Sequence, residues 1–344
     1  MVSYARNIGA LCGVLTIAAS VASGASAQSA AEFYKDKDIK LIVAAGSGGT
    51  YAVYARLLAR HWKQYIPGNP TVVIQHMPGG GGLKGAGYLQ NAAARDGSVI
   101  GMPLQTVAAA QVLRPQKAKH DVRQWQWIGN MTVLRNTVGA WHTSGVKTVA
   151  DARRKEIIIG STGRGGDMFM VPKLANEMLG TKFKIVLGYR GIRDVDKALE
   201  GGEVQGRAGS WLSWKLSHAD WIKDGKVTQL MQVGFSRAPD LPDVPLMQEL
   251  ATNDMDRKVL EFFGLTTRMA RSVTALPETP AYLVAALRAS FDKAMKDKAL
   301  IAEAAKRGVP LEPMGWKDVE AAARATADVD KAVLAHMQAA LAKK

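Results

Sequence analysis

Three glycine-rich stretches hold the residues best suited to chemistry without a reactive side chain. They are Gly46-Ser47-Gly48-Gly49-Thr50-Tyr51, Gly79-Gly80-Gly81-Gly82 with Lys84 and Gly85 just beyond, and Ser161-Thr162-Gly163 running on through Gly166. Each follows an apolar, strand-like run and precedes a helical pattern. Glycine permits positive φ and close backbone approach, and the first turn of a helix presents unpaired N–H groups at the positive end of its dipole. Such loops suit anions. In open α/β sheets ligands also gather at the carboxyl ends of strands, where these loops fall. The same glycines equally serve tight turns that pack helices on strands; three loops at equivalent places shift the balance toward a site.

Other chemistries find little support. Neither loop of the first half satisfies G-x-x-x-x-G-K-[ST], because Lys84 lies between Leu83 and Gly85, and the 46–51 segment lacks the third glycine of G-x-G-x-x-G. Six histidines at 61, 76, 120, 142, 218 and 336 show no metal-ligand spacing, so no metal and no cofactor is expected. Ser47 and Ser161 sit outside G-x-S-x-G, and nothing nominates a partner base. The chain carries 45 Lys plus Arg against 30 Asp plus Glu, a net charge of +15. That field favours acidic ligands. The basic residues are scattered rather than striped with aromatics, so nucleic acid is not an expected partner.

These loops need an alternating scaffold, and the pattern supplies one. Residues 39–44, 72–74 and 99–102 read as strands, separated by helical spacing of Tyr51, Tyr54, Leu57, Leu58, His61, Trp62 and Tyr65 and by a helix over 83–94. A second series begins near Thr132, with strands at 157–159, 184–187 and 229–233 and a helix after Gly166 in which Pro172 marks either a start or a bend. Residues 262–268 return the chain to the first lobe, before two alanine-rich helices over 280–298 and 316–341. The alternation implies βαβ units. At 344 residues, two lobes are expected.

The N-terminus reads as an export signal. Arg6 precedes an uncharged run over 7–31, with an apolar stretch near 8–21 and then Ala25-Ser26-Ala27, which predicts cleavage after Ala27. Cleavage would remove Cys12, the single cysteine, and with it any thiol chemistry.

The ordered set of Gly46–Tyr51 with Tyr54-Ala55-Arg56-Leu57-Leu58, then His76-Met77-Pro78 leading into the glycine run, Arg95-Asp96-Gly97, Ser161-Thr162-Gly163, Gly188-Tyr189-Arg190-Gly191, Gly201-Gly202-Glu203-Val204 and Leu241-Pro242-Asp243-Val244-Pro245 resembles the tripartite tricarboxylate transporter substrate-binding proteins, the Bug family. The resemblance implies a type II periplasmic binding protein fold of class α/β. Its two lobes each have a mainly parallel sheet flanked by helices, with a hinge of two crossing segments. The first lobe is then 28–133 plus 264–344 and the second 134–263. It implies a non-enzymatic, monomeric, periplasmic protein that closes over a small organic acid and delivers it to the large and small membrane subunits of a transporter. A hydrolase or transferase acting on a small acid and an orphan sensory binding protein are the alternatives.

By position, the implied ligand-binding set is Gly46, Ser47, Gly48, Gly49, Thr50, Tyr51, Gly79, Gly80, Gly81, Gly82, Lys84 and Gly85 from the first lobe. From the second it is Ser161, Thr162, Gly163, Tyr189, Ser210 and Trp211, to which the chemistry of its side chain adds Arg190 as a bidentate partner for a carboxylate. Two departures stand out: Tyr51 and Gly209 occupy places where the family usually has acids. With no carboxylate there to grip an ammonium group, an amino-acid ligand is disfavoured, while Tyr51, Tyr189 and Trp211 suit an aromatic or apolar acid.

Overall fold

The computed structural model describes Met1, Val2 and residues 29–342. The export signal expected over 1–27 therefore lies, beyond its first two residues, outside the described residues. Eleven strands follow in chain order: β1 Asp38–Val43, β2 Thr71–His76, β3 Val99–Met102, β4 Gln126–Asn130, β5 Asn136–Trp141, β6 Ile157–Ser161, β7 Phe183–Leu187, β8 Gly206–Ser210, β9 Val227–Val233, β10 Ser272–Ala275 and β11 Met314–Gly315. They form two sheets flanked by helices, ordered β11-β4-β10-β3-β1-β2 and β7-β6-β8-β5-β9.

Each sheet has a parallel part, β3-β1-β2 in one and β7-β6-β8 in the other, built by the helical crossovers that the alternating pattern requires. Each also carries an antiparallel strand beside that part: β5 pairs with β8 and β9, and β10 with β3 and β4. β5 and β10 are the strands entered directly after the chain crosses between sheets, so the crossings reverse the strand direction. The crossings also touch each other, with the Leu134 N–H donating to the Thr267 carbonyl at 3.3 Å and Met131 N–H to Arg271 at 3.2 Å.

The first core forms because helix Thr50–Trp62 places Tyr54, Leu57, Leu58 and Trp62 on one face, against the buried side of β1. Helix Ala281–Ala294 returns Leu283, Leu287 and Phe291 to the same core, where Trp62 meets Phe291 edge-on at 5.9 Å and donates to Ser290 Oγ at 2.8 Å. The second sheet is covered on both faces, which is why all six residues of β5 are buried. One cover is helix Asp167–Leu179; the other centres on Val195, Leu199, Trp214 and Trp221.

Several elements differ from the sequence reading. The helix expected over 280–298 is Ala281–Ala294, followed by a separate helix Lys298–Lys306 that the sequence reading did not place, and that over 316–341 is two, Trp316–Ala327 and Lys331–Ala342. Asp297 and Asp330 break them by accepting backbone N–H bonds from the residues just beyond. Helix Lys331–Ala342, grouped from sequence with the first lobe, packs Val333, Met337 and Ala340 into the core beneath the second sheet. Pro172 lies inside helix Asp167–Leu179, five residues beyond its start.

Candidate functional site

The loops at the carboxyl ends of the parallel strands face each other and touch. Gly165 N–H donates to the Gly80 carbonyl at 3.1 Å, Thr106 Oγ1 to the Gly165 carbonyl at 2.9 Å, and Arg193 Nε to the Gly48 carbonyl at 3.2 Å. Gly81 holds φ at +69°, and a Cβ there would stand 2.2 Å from the Gly166 nitrogen. Only glycine admits that approach. The two sheets are thus locked in a closed arrangement around a cavity of about 100 Å³.

Arg271 forms one wall. It is 1% exposed, sits one residue before β10, and lines the cavity. Its Nη2 donates to Thr50 Oγ1 at 2.5 Å, its Nη1 to the Ala270 carbonyl at 2.5 Å, and its guanidinium lies 3.8 Å from the Tyr51 ring centroid. Its Nε has no partner. Burial pushes the Tyr51 hydroxyl up to about 12, partly offset by that guanidinium, and the neutral phenol accepts the Gln105 backbone N–H at 2.7 Å. Beside Arg271, the Gly49 carbonyl accepts the N–H groups of Ala52 and Val53. The N–H groups of Thr50 and Tyr51, first in their helix, have no acceptor within it.

The opposite wall carries acceptors. Asp167 opens helix Asp167–Leu179 and accepts from its neighbour Met168 N–H at 2.9 Å and from Asn136 Nδ2 at 2.6 Å. Desolvation in the closed cavity raises its pKa, against the lowering effects of the Met168 N–H, Arg271 and Asn136. Asn136 is fully buried at the start of β5, and its Oδ1 has no partner. Arg271 and Asp167 line one cavity and feel each other's charge, yet they form no direct ion pair among the described residues. Leu104, Met168 and Ile192 supply apolar surface between them, and no histidine lines the cavity.

Of the residues expected from sequence, Gly46, Gly49, Thr50, Tyr51, Gly79, Gly81, Gly82, Thr162, Arg190 and Ser210 line this cavity. Arg190 is exposed, at its mouth. Gly48, Gly80 and Gly163 instead make or border the cross-lobe contacts. Gly85 packs against Ala44, while Ser47 and Lys84 are exposed outside the cavity. Ser161 is buried and accepts the Gly163 N–H at 3.4 Å, so it shapes the loop. Tyr189 lies away from the cavity and donates its hydroxyl to Glu203 at 2.5 Å. Trp211 is turned elsewhere too: it packs with Trp214 and Trp221 and lines a separate groove with Leu134 and Pro239. An aromatic sandwich of Tyr51, Tyr189 and Trp211 is therefore not formed, and Tyr51 already has Arg271 against its ring.

Sequence reasoning missed Gln105, Asn136, Asp167 and Arg271. It also treated the acids at two expected positions as lost, whereas the structure supplies one at Asp167. The available signals were faint: Asp167 follows the last glycine of its loop directly, and Arg271 stands immediately ahead of β10.

A closed two-lobed α/β molecule with a cavity between its lobes has the architecture of periplasmic binding proteins. The solved structure of periplasmic binding protein BugD is similar at TM-score 0.71 and 18% identity, covering 89% of this chain and 98% of that one. An R. palustris protein solved with adipate gives 0.69 and 18%, over 88% and 98% of the two chains. MatC from Rhodopseudomonas palustris, with bound malate, gives 0.65 and 18%, over 89% and 99%. No curated protein sequence matches. Residues 54–336 match the model of the tripartite tricarboxylate transporter family receptor, TctC, and the chain belongs to that family. Among the described residues no helix is long and apolar enough to cross a membrane, and no cluster could hold a metal ion.

Proposed function

We propose that this protein is an exported, non-enzymatic receptor that encloses a small organic carboxylate between its lobes and hands it to the large and small membrane subunits of a tripartite transporter. The lobes are read as 28–133 with 264–344 and 134–263, helix Lys331–Ala342 crossing back to pack beneath the second sheet, with the hinge where the chain crosses between sheets, and export as cleavage after Ala27 into the periplasm. The observation that carries the reading is a buried guanidinium, Arg271, set beside the open N-terminus of helix Thr50–Trp62 in a cavity closed by both lobes. A charge-assisted hydrogen bond contributes about 1.5–3 kcal/mol and a helix N-terminus about 0.3–2 kcal/mol. Several together approach the roughly 8 kcal/mol of micromolar affinity. The family membership and the acids in two of the similar structures point the same way.

The test is a thermal-shift panel of aliphatic, aromatic and heteroaromatic acids, with nucleotides alongside, followed by product analysis of any stabilising compound. Stabilisation by acids without turnover is expected. Turnover, or stabilisation by nucleotides alone, would overturn the reading.

A further inference from the structure

The buried hydrogen-bonding groups of the cavity that lack partners are segregated by sign. Two buried donors without partners, Arg271 Nε and Gln105 Nε2, stand on the side of the first sheet, with Arg271 1% and Gln105 4% exposed. The buried acceptor without a partner, Asn136 Oδ1, stands on the side of the second, next to the Asp167 carboxyl. Unsatisfied buried groups are costly, so each marks where a ligand atom belongs.

We propose that the cavity selects a small monocarboxylic acid bearing a hydrogen-bond donor, an ammonium or a hydroxyl. Arg271 and Gln105 receive its carboxylate, and Asn136 and Asp167 receive its donor.

This rests on the carboxylate-receptor reading and narrows it. A dicarboxylate would set its second carboxylate against Asn136 Oδ1 and Asp167, five acceptor-only oxygens facing one another at closure, unless a proton were taken up. A plain monocarboxylate would satisfy the first wall and leave Asn136 Oδ1 without a partner. Only an acid with a donor matches both walls. The desolvation that already burdens Asp167 strengthens the bias, because a donor or cation beside the carboxyl relieves it. The arrangement also reverses the sequence expectation against amino acids. That expectation rested on acids missing from the family positions, whereas Asp167 supplies one from the loop's end.

Isothermal titration of the whole protein with butyrate, 2-hydroxybutyrate, 2-aminobutyrate and succinate at pH 7 tests it. The hydroxy or the amino acid should bind about ten-fold tighter than butyrate and succinate, one buried hydrogen bond's worth. Whichever of the two leads tells hydroxyl from ammonium. Asp167→Asn and Asn136→Ala should each narrow that lead over butyrate, with circular dichroism confirming the fold. Succinate binding as tightly as the leading acid, or a lead that survives both variants, would overturn the proposal while leaving a carboxylate receptor. Failure of every acid here and in the wider panel would instead remove the receptor reading itself.

Discussion

Asp167 and Arg271 set the chemistry of the cavity, and their environments give a signed prediction. Folding raises the Asp167 pKa above its unfolded value, so the native state holds that proton more tightly than the unfolded chain does. Its contribution to stability is then greatest below the unfolded carboxyl range, near pH 4, and declines as pH rises through the raised value. Asp167→Asn removes the decline, and Asn136 can turn its unpartnered Oδ1 to the new amide. With both proteins held shut by saturating butyrate, which brings no donor to Asp167, the variant's melting temperature should match the wild type near pH 4 and exceed it by about 1–3 °C at pH 7; a difference constant with pH would refute the desolvation argument. Arg271→Lys keeps a charge but loses the flat contact with Tyr51 and the forked donors to Thr50 and Ala270. Titration should show about ten-fold or greater loss of affinity for any acid the wild type binds. Neither residue was legible in the chain. An acid in a first helical turn has an ordinary role against the dipole, and a single arginine before a strand usually reaches solvent. Only the crossing of the chain between sheets brings the two together.

At the scale of elements, the glycine loops were legible as a place but not as a mechanism. The pattern placed them after strands of both sheets, yet Gly80, Gly81, Gly163 and Gly165 chiefly let one backbone press on another. That separates folding from closure. Gly81→Ala pays about 1–2 kcal/mol for its positive φ in any state, but its Cβ meets Gly163 and Gly166 only when the lobes shut. Ligand affinity should fall by more than ten-fold, well beyond the stability loss seen in urea. Gly87→Ala, inside helix Leu83–Asn91 with nothing within 4 Å, should leave affinity unchanged and raise stability by about 0.5–1 kcal/mol. A second element was invisible in the pattern. Asp196 on helix Ile192–Glu200 pairs at 2.5 Å with Arg207 of β8, which is fully buried with its guanidinium 3.5 Å from the Trp214 ring centroid, and His218 stands 2.8 Å from the same carboxylate. Burial would push Asp196 up, but Arg207 and His218 hold it below the usual carboxylate range. Asp196→Ala strands a buried charge and should cost about 3–5 kcal/mol in urea unfolding. The broken terminal helices were unreadable for a milder reason, since an aspartate in an alanine-rich run looks like any solvated charge until its carboxylate is seen capping the next helix.

For the whole molecule, the alternation of strands and helices made the α/β class and the two-lobed plan readable, because hydrophobic periodicity is local. The antiparallel β5 and β10 were not readable, because strand direction is decided by where the chain crosses. Those crossings also hold the site. Asn136 begins β5 just after the first crossing and Arg271 ends the second, and backbone bonds such as Met131 to Arg271 tie the crossings together. A ligand bridging the two walls therefore pulls directly on the segments that must bend when the lobes part. Without a ligand, the closed form holds an unpaired guanidinium Nε, an unpaired Asn136 Oδ1 and a desolvated carboxyl, costs that solvent relieves once the lobes open. The free protein should accordingly favour an open form. A ligand shifts the population only by its preference for the closed one, about 5.5 kcal/mol to carry it from 1:99 to 99:1. Small-angle scattering should show the radius of gyration falling when a stabilising acid is added to the wild type, and falling less for Gly81→Ala at the same excess. If the free protein already scatters like the closed structure and the acid changes nothing, the cavity fills without hinge motion and the glycine contacts serve rigidity rather than capture.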